Sequence, residues 1–302
     1  MSVWAIETEN LSVYYGRHLG IRDIDLKVEK GEVFGFLGPN GAGKTTTQRV
    51  LLDVIRPTAG TARMFGLDCQ KEGVEARARV GYLPGELSLY ENMKASQFFK
   101  MFDSMLGERA VPDYWRTLAE RLQLDTNRKI REFSRGNKQK VGVVTAFMSK
   151  AELLVLDEPT SGLDPLVQQT VLDLVCETKD EGNTVFFSSH ILPEVQTVCD
   201  RVGIIREGKL VAVERVEDLM HQQFKRLRIC FRDSPPDDAF ELPGIKEIGR
   251  DEFGVTFEAL ENLDQLMAKA ASFGITDIET YSISLEEIFL AYYGANQGGD
   301  HV

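Results

Sequence analysis

The chain has 302 residues, of which 43% are hydrophobic and 27% are charged, a globular composition with room for one large domain and one small one. Its formal net charge of −12 argues against a nucleic-acid partner, because binding to phosphate backbones needs patches of Lys and Arg. No apolar run approaches the roughly 18 residues of a membrane helix, and the first residues lack the pattern of a secretory signal. If the protein serves a membrane, we therefore expect it to do so from the soluble side. Its four scattered cysteines are expected to be reduced.

The first part of the chain predicts three strands followed by a helix. Residues 3–15 and 22–28 are expected to be strands, and apolar and polar side chains alternate in the second of them. Residues 33–37 form a short apolar run, which is typical of a strand buried on both faces. After a glycine-rich segment, a helix is predicted to continue to about Ile55, where proline and glycine end it.

Two helices are predicted within residues 93–127. Their apolar side chains recur at helical spacing, and such stripes are more often buried core than binding surface. The two stripes are Phe98, Phe102 and Met105, and Trp115, Leu118 and Leu122.

Two further apolar strands are predicted at 153–156 and 184–187, with helices at about 165–180 and 191–199. Each of these strands, like the one at 33–37, ends in a cluster of polar residues. Ligands bind outside the carboxyl ends of the strands in open α/β sheets. Three such clusters therefore predict a single site.

The pattern changes after about Arg215. Alternation at 227–231, a strand near Val255, a helix at 261–273, a strand at 275–283 and a last helix at 285–292 predict a small α+β domain. The polar segment that follows is expected to be a disordered tail.

The glycine-rich segment from Gly38 to Thr45 matches G-x-x-x-x-G-K-[ST], a loop whose backbone N–H groups surround phosphate oxygens at a helix N-terminus. Lys44 would reach the β- and γ-phosphates, and Thr45 would ligate Mg²⁺. The predicted phosphate-binding residues are Gly38, Pro39, Asn40, Gly41, Ala42, Gly43, Lys44, Thr45 and Thr46.

A pair of acidic residues, Asp157 and Glu158, ends the strand at 153–156. An aspartate there can hold Mg²⁺, and the neighbouring glutamate can polarise a water molecule as a general base. An acidic turn is common by itself, but beside a phosphate loop these two residues favour nucleotide hydrolysis.

Three more segments narrow the class of protein. Phe133-Ser134-Arg135-Gly136-Asn137 precedes a helix, LLVLDEPTSGLDP occupies 153–165, and His190 follows the strand at 184–187. Together with the glycine-rich loop, and in this order, they resemble the nucleotide-binding subunits of ABC transporters over residues 4–212. The exporter type, with separately encoded permeases, is the most similar, and its C-terminal domain ends like SLEEIFLAYYG.

The resemblance implies a role for individual residues. His190 corresponds to the switch histidine, and Tyr15 corresponds to the aromatic side chain that stacks on adenine. Tyr14 is expected to pack within its strand instead. Ser134 and Gly136 are retained from the family's LSGGQ signature and would contact ATP held by a second subunit. The catalytic residues would be Glu158, His190 and Lys44. The metal ion would be bound by Thr45 and Asp157.

The resemblance also implies a fold and a function. The expected fold is an α/β P-loop NTPase domain of the ABC type at 1–220, with a helical subdomain at about 88–150, a small α+β domain at 221–293 and a tail at 294–302. A homodimer would bind ATP and Mg²⁺ at the cytoplasmic face of the cell membrane and power export of an unidentified substrate through an integral membrane permease. A soluble ABC ATPase that acts without a permease, as in cluster assembly, stays open as the alternative.

The sequence departs from the family's pattern in two places. Arg135 and Asn137 stand where the signature has Gly and Gln. Gly85 stands where the family's Q-loop carries Gln or Glu, and Glu86 comes one residue later. Either Glu86 replaces the missing side chain, or the metal keeps an extra water molecule.

Overall fold

A computed structural model describes residues 4–221, 225–233, 235–236, 238–251, 253–259 and 261–281. The chain divides into two compact units, residues 1–216 and 217–302. The helix expected at 285–292, the end of the strand expected at 275–283 and the tail expected at 294–302 lie outside the described residues.

A six-stranded sheet forms the centre of the first unit. Its order is β10-β9-β3-β8-β7-β6, and all neighbours are parallel except the antiparallel pair β9 and β10. Strands β3, β7 and β8 are buried along their whole length, as their apolar runs predict. The strands are β3 (Val33–Leu37), β6 (Val80–Leu83), β7 (Leu153–Asp157), β8 (Thr184–Ser189), β9 (Arg201–Arg206) and β10 (Lys209–Arg215).

An antiparallel sheet packs its apolar face toward this centre. Its order is β2-β1-β4-β5, with a two-residue turn between Tyr15 and His18. Side chains such as Ile6, Leu26 and Phe34 share one buried cluster. The strands are β1 (Trp4–Tyr15), β2 (His18–Glu29), β4 (Ala59–Met64) and β5 (Leu67–Asp68).

Seven α-helices and two short 3-10 helices, Gly107–Arg109 and Ile130–Glu132, complete the described part of the first unit. Trp115, Leu118 and Leu122 are buried, and so is Phe98 of the first stripe, whereas Met105 at the end of that stripe is 66% exposed. The last turn of its helix turns that side chain away from the core. The helices are α1 (Lys44–Leu51), α2 (Gly73–Arg77), α3 (Ala95–Leu106), α4 (Tyr114–Arg121), α5 (Arg135–Phe147), α6 (Pro165–Asp180) and α7 (Leu192–Val198).

The second unit has its own sheet and its own core. The strand order of this sheet is β12-β13-β11-β14, and every pair of neighbouring strands is antiparallel. Phe240, Phe257 and Leu266 are among the side chains of its buried cluster. After helix α8 (Val216–His221), which lies at the boundary, its elements are β11 (Lys225–Phe231), β12 (Ile245–Arg250), β13 (Gly254–Ala259), α9 (Leu263–Ala271) and β14 (Ile275–Tyr281).

Candidate nucleotide site

The glycine-rich loop joins the buried strand β3 to helix α1, and its glycines are required by space and by backbone angle. Gly43 has φ 112°, a region that side-chain-bearing residues rarely adopt. A Cβ at Gly38 would lie 2.2 Å from the carbonyl oxygen of Ile205. The loop can therefore bend tightly and present its N–H groups at the start of α1, where an anion is favoured.

Lys44 begins α1 and points back into the loop, with only 5% of its surface exposed. Its Nζ donates to the carbonyl oxygens of Gly38 at 2.6 Å and Pro39 at 3.1 Å, and it lies 3.6 Å from Oε1 of Glu158. Burial lowers the pKa of Lys44, and the nearby carboxylates of Glu158 and Asp157 oppose that shift. Two carbonyl oxygens and one carboxylate oxygen thus hold the ammonium group of Lys44 at the mouth of the loop.

Asp157, at the end of β7, is 2% exposed, and each of its carboxylate oxygens accepts a hydrogen bond. Its Oδ2 accepts a bond of 2.7 Å from the Thr45 hydroxyl, and its Oδ1 accepts one of 2.6 Å from the Ser188 hydroxyl. Ser188 lies at the end of the neighbouring strand β8. These contacts bring together the two residues predicted to hold a metal.

Hydroxyl and carboxylate oxygens such as those of Thr45 and Asp157 fit Mg²⁺, which prefers oxygen ligands. No cluster of three or more His, Cys, Asp or Glu side chains able to hold a metal exists within the described residues. The two oxygen donors of Thr45 and Asp157 suit an ion that takes its other ligands from phosphate and water.

Glu158 directly follows Asp157 and has φ 49°, a left-handed conformation that is unusual for a residue with a side chain. Its N–H donates to the carbonyl oxygen of Ser188 at 3.2 Å. Its Oε1 lies 3.1 Å from Nδ1 of His190, which follows β8. The structure thus brings together Glu158, His190 and Lys44, the three predicted catalytic residues.

A cavity of about 280 Å³ opens beside the loop. Tyr15 lines it, and the Tyr15 hydroxyl lies 3.5 Å from the Thr46 hydroxyl. Tyr14, with 42% of its surface exposed, is not among the lining residues. The cavity is lined by Tyr15, Leu19, Gly20, Asn40, Gly41, Gly43, Lys44, Thr45, Thr46 and Glu158.

Ser134 and Gly136 lie apart from this cavity, at the N-terminus of α5. Ser134 caps the helix, since its hydroxyl oxygen accepts a bond of 3.3 Å from the N–H of Asn137. Gly136 packs against the turn after β7, where a Cβ would lie 2.8 Å from the carbonyl oxygen of Gly162. The departures Arg135 and Asn137 leave this helix start intact.

Gly85 follows β6 and approaches the carboxylate of Asp157. A Cβ on Gly85 would lie 2.9 Å from Oδ2 of Asp157, so a side chain at this position would require the aspartate to move. Glu86 is exposed and makes no hydrogen bond or ion pair with the described residues. Its replacement of the Q-loop side chain therefore stays a prediction.

Three polar residues around the site were not predicted from the sequence. Ser188 binds Asp157, the carboxylate of Glu194 binds Thr160, and the amide of Gln139 donates to the carbonyl oxygen of Pro159 at 3.2 Å. Only Ser188 could have been identified from the sequence pattern, because it belongs to the polar cluster after an apolar strand. Glu194 and Gln139 lie on helices, where single polar residues are ordinary.

The phosphate loop, the acidic pair after β7 and the histidine after β8 define a P-loop nucleotide-binding domain. A family model described as ABC transporter matches residues 21–161. The bacitracin transport ATP-binding protein BcrA of Bacillus licheniformis is 36% identical, over 76% of this chain and 75% of that relative. The linearmycin resistance ATP-binding protein LnrL of Bacillus subtilis is 35% identical, over 71% of this chain and 70% of the relative.

Solved structures agree with these relatives. A structure described as the ATP-binding subunit of an ABC transporter has a TM-score of 0.66 and 29% identity, over 72% of this chain and 92% of that chain. A dimeric ATP-binding cassette in a post-hydrolysis state, bound to ADP and Pi, shares the fold at a TM-score of 0.63 and 18% identity, over 70% of this chain and 98% of that one. The chain belongs to the family of ABC transporter ATP-binding subunits, and it is an ABC ATPase. The predicted family and the predicted α/β P-loop fold are confirmed.

Proposed function

We propose that the chain hydrolyses ATP at the cavity beside Lys44 and works in pairs, each subunit completing the other's site. The observation that carries this proposal is the position of Ser134. It is exposed at the start of α5 and does not line the cavity that holds the phosphate loop. The N-terminus of a helix favours a bound phosphate. Because the N-terminus of α5 does not line the cavity of its own subunit, a second copy of the chain would supply it. The dimeric cassette of the same fold is in line with such a pair.

In the proposed reaction, Glu158 is the general base. Its carboxylate accepts a proton from a water molecule, whose oxygen forms a bond to the γ-phosphorus while the bond from that phosphorus to the bridging oxygen breaks. ADP and phosphate leave. Lys44 and the loop N–H groups stabilise the charge on the phosphate oxygens. His190, 3.1 Å from Oε1 of Glu158, orients that carboxylate.

Two further contacts complete the proposed site. Tyr15 lines the cavity and offers an aromatic face on which adenine can stack. Mg²⁺, held by Thr45 and Asp157, would neutralise phosphate charge when it is bound.

The work done by this hydrolysis is proposed to be export of a substrate through a separate membrane permease. The relatives named for bacitracin transport and linearmycin resistance support this direction. No helix in the described part of the chain has the length and apolar character needed to cross a membrane. In this proposal the chain is bound to the permease at the cytoplasmic face of the membrane.

Mixing two inactive variants tests the shared site. Lys44→Ala disables the phosphate loop, and Ser134→Arg blocks the signature segment. If each site uses Lys44 of one subunit and Ser134 of the other, a mixed dimer regains one intact site. Exchange of subunits should then restore about a quarter of the wild-type ATPase activity. No recovery after verified exchange would contradict the shared site.

Purification from native membranes tests the permease. Tagged Glu158→Gln protein, extracted in mild detergent with ATP, should carry a multi-span membrane protein in a fixed ratio. Recovery of the chain from the soluble fraction alone, without any such protein, would favour an ABC ATPase that acts without a permease.

A further inference from the structure

The two side chains proposed to act on water come from different segments of the chain. Glu158 follows β7, and His190 follows β8. Neither is fixed by its own segment alone. Glu158 has the unusual φ of 49°, and the His190 side chain is 44% exposed. Because strained conformations persist only where the surroundings hold them, the 3.1 Å contact between these side chains needs support from the contacts around both segments, which include the bond from the N–H of Glu158 to the carbonyl oxygen of Ser188.

Glu194, on the short helix α7, supplies such a support. Its carboxylate is buried, with 7% of the residue exposed. Oε1 accepts a bond of 2.6 Å from the hydroxyl of Thr160, and Oε2 accepts one of 2.7 Å from the hydroxyl of Ser189. The Ser189 hydroxyl also accepts the N–H of Ile191 at 2.9 Å.

The two hydroxyl partners flank the two reacting residues. Thr160 stands two residues after Glu158, and Ser189 immediately precedes His190. One carboxylate therefore joins both segments, in addition to the direct bond from the N–H of Glu158 to the carbonyl oxygen of Ser188. Short bonds to a charged acceptor are stronger than neutral ones, which suits this purpose.

Stability alone does not explain this buried acid. Glu194 forms no ion pair with any described residue, so its charge is offset by hydroxyl donors only. Burying an unpaired charge is costly, and apolar residues of similar volume often stabilise a core as well or better. A carboxylate at this place is thus better explained by the two segments that it aligns.

We propose that Glu194 is a positioning residue that holds Glu158 and His190 in register for hydrolysis through Thr160 and Ser189. The inference rests on the proposed roles of Glu158 and His190. Glu194 itself touches neither ATP nor water in this scheme. Gln139, whose amide donates to the carbonyl oxygen of Glu158 at 3.3 Å, supports the same segment from α5.

Two variants of Thr160 separate the hydroxyl from the shape of the side chain. Thr160→Val keeps the branched shape and removes the donor, whereas Thr160→Ser keeps the donor. Small misplacements of reacting groups can cost about 100-fold in rate, so Thr160→Val should lower kcat by about 10–100-fold. KM for ATP should stay within about threefold, because the phosphate loop is unchanged. Thr160→Ser should recover most of kcat.

A double-mutant cycle separates positioning from loss of folded protein. Glu194→Ala should lower turnover in the wild-type background and have little further effect on the residual turnover of Glu158→Gln, since the group being positioned is already gone. Glu32→Ala is the matched control. Glu32 is also a buried glutamate with hydrogen-bonded partners, but it precedes β3 at the opposite end of the sheet. It should lower the melting temperature without changing the kcat of the folded fraction.

The outcomes distinguish the two proposals. Normal turnover in Glu158→Gln would remove the proposed general base, whatever Glu194 does. Slow turnover in Glu158→Gln together with normal kcat in Thr160→Val and Glu194→Ala would overturn the positioning role alone. An equal loss from Glu194→Ala in both backgrounds, matching its loss of folded protein, would also overturn it.

Discussion

The two units of the chain differ in where their charged side chains lie. The first unit buries Lys44, Asp157 and Glu194 around the carboxyl ends of its central strands. In the second unit, none of the described charged side chains is buried, and pairs such as Arg228 with Asp251 lie at its surface. Its core is instead made of apolar side chains.

This difference separates residues kept for chemistry from residues kept for stability. A buried charge costs free energy, so a group of them at one sheet edge indicates a reaction site. Exposed ion pairs contribute little to stability, and an apolar cluster contributes much more. We propose that the second unit is an accessory domain, because its core is apolar and its described ion pairs lie at the surface.

The largest expected effect comes from Lys44→Ala. Loss of the charge at the phosphate loop removes a strong electrostatic contact to the phosphates. ATPase activity should fall by at least about 100-fold, or ATP binding should be lost, while circular dichroism stays unchanged. Lys179→Ala is the control, because Lys179 pairs with Asp200 and does not line the cavity. Unchanged activity of Lys44→Ala at saturating ATP would contradict the site.

Gly85→Ala should have the next largest effect. The added Cβ would lie 2.9 Å from Oδ2 of Asp157, which is held in place by Thr45 and Ser188. Displacement of that carboxylate should lower kcat by about tenfold. Gly249→Ala serves as the control, since nothing lies within 4 Å of the added atom. Equal kcat values for the two variants would show that Asp157 can move freely.

Removal of the second unit should change hydrolysis little. Each unit has its own apolar cluster, and all the site residues precede residue 195. A chain that ends after α8 should fold and keep its basal ATPase activity within about twofold, because compact domains often fold alone. A truncated chain that folds but binds no ATP would contradict the division of labour between the units.

The smallest effect is expected for Arg228→Ala in the second unit. Arg228 donates two bonds, of 2.8 and 3.0 Å, to the carboxylate of Asp251 at the surface. Its loss should lower the melting temperature by less than about 2 °C. Phe257→Ala, which removes a large side chain from the apolar cluster, should lower the free energy of unfolding by about 3–5 kcal/mol. A larger effect of Arg228→Ala than of Phe257→Ala would reverse the comparison.

Local patterns predicted the parts of the fold that depend on neighbouring residues. The apolar runs at β3, β7 and β8 located the buried strands, and helix α6 was predicted at its observed bounds, 165–180. Asp164 caps that helix and Pro165 begins it, which is a strong local signal.

Features that depend on distant contacts could not be predicted. Strands β4 and β5 are short and partly exposed, and the pairing of β4 with β1 and of β5 with β4 is set by the tertiary structure. The role of Glu194 depends on hydroxyls that lie 34 and 5 residues away in sequence. A polar residue on a short helix carries no pattern that indicates such partners.

The central claim is that Glu158 removes a proton from water at the cavity beside Lys44. The most direct measurement pairs ATP binding with phosphate release in Glu158→Gln. The amide cannot act as the base, so turnover should fall by about 10²–10⁴-fold while the affinity for ATP is retained, and ATP should hold a dimer visible by size-exclusion chromatography. Phosphate release within about twofold of the wild-type rate would contradict the claim.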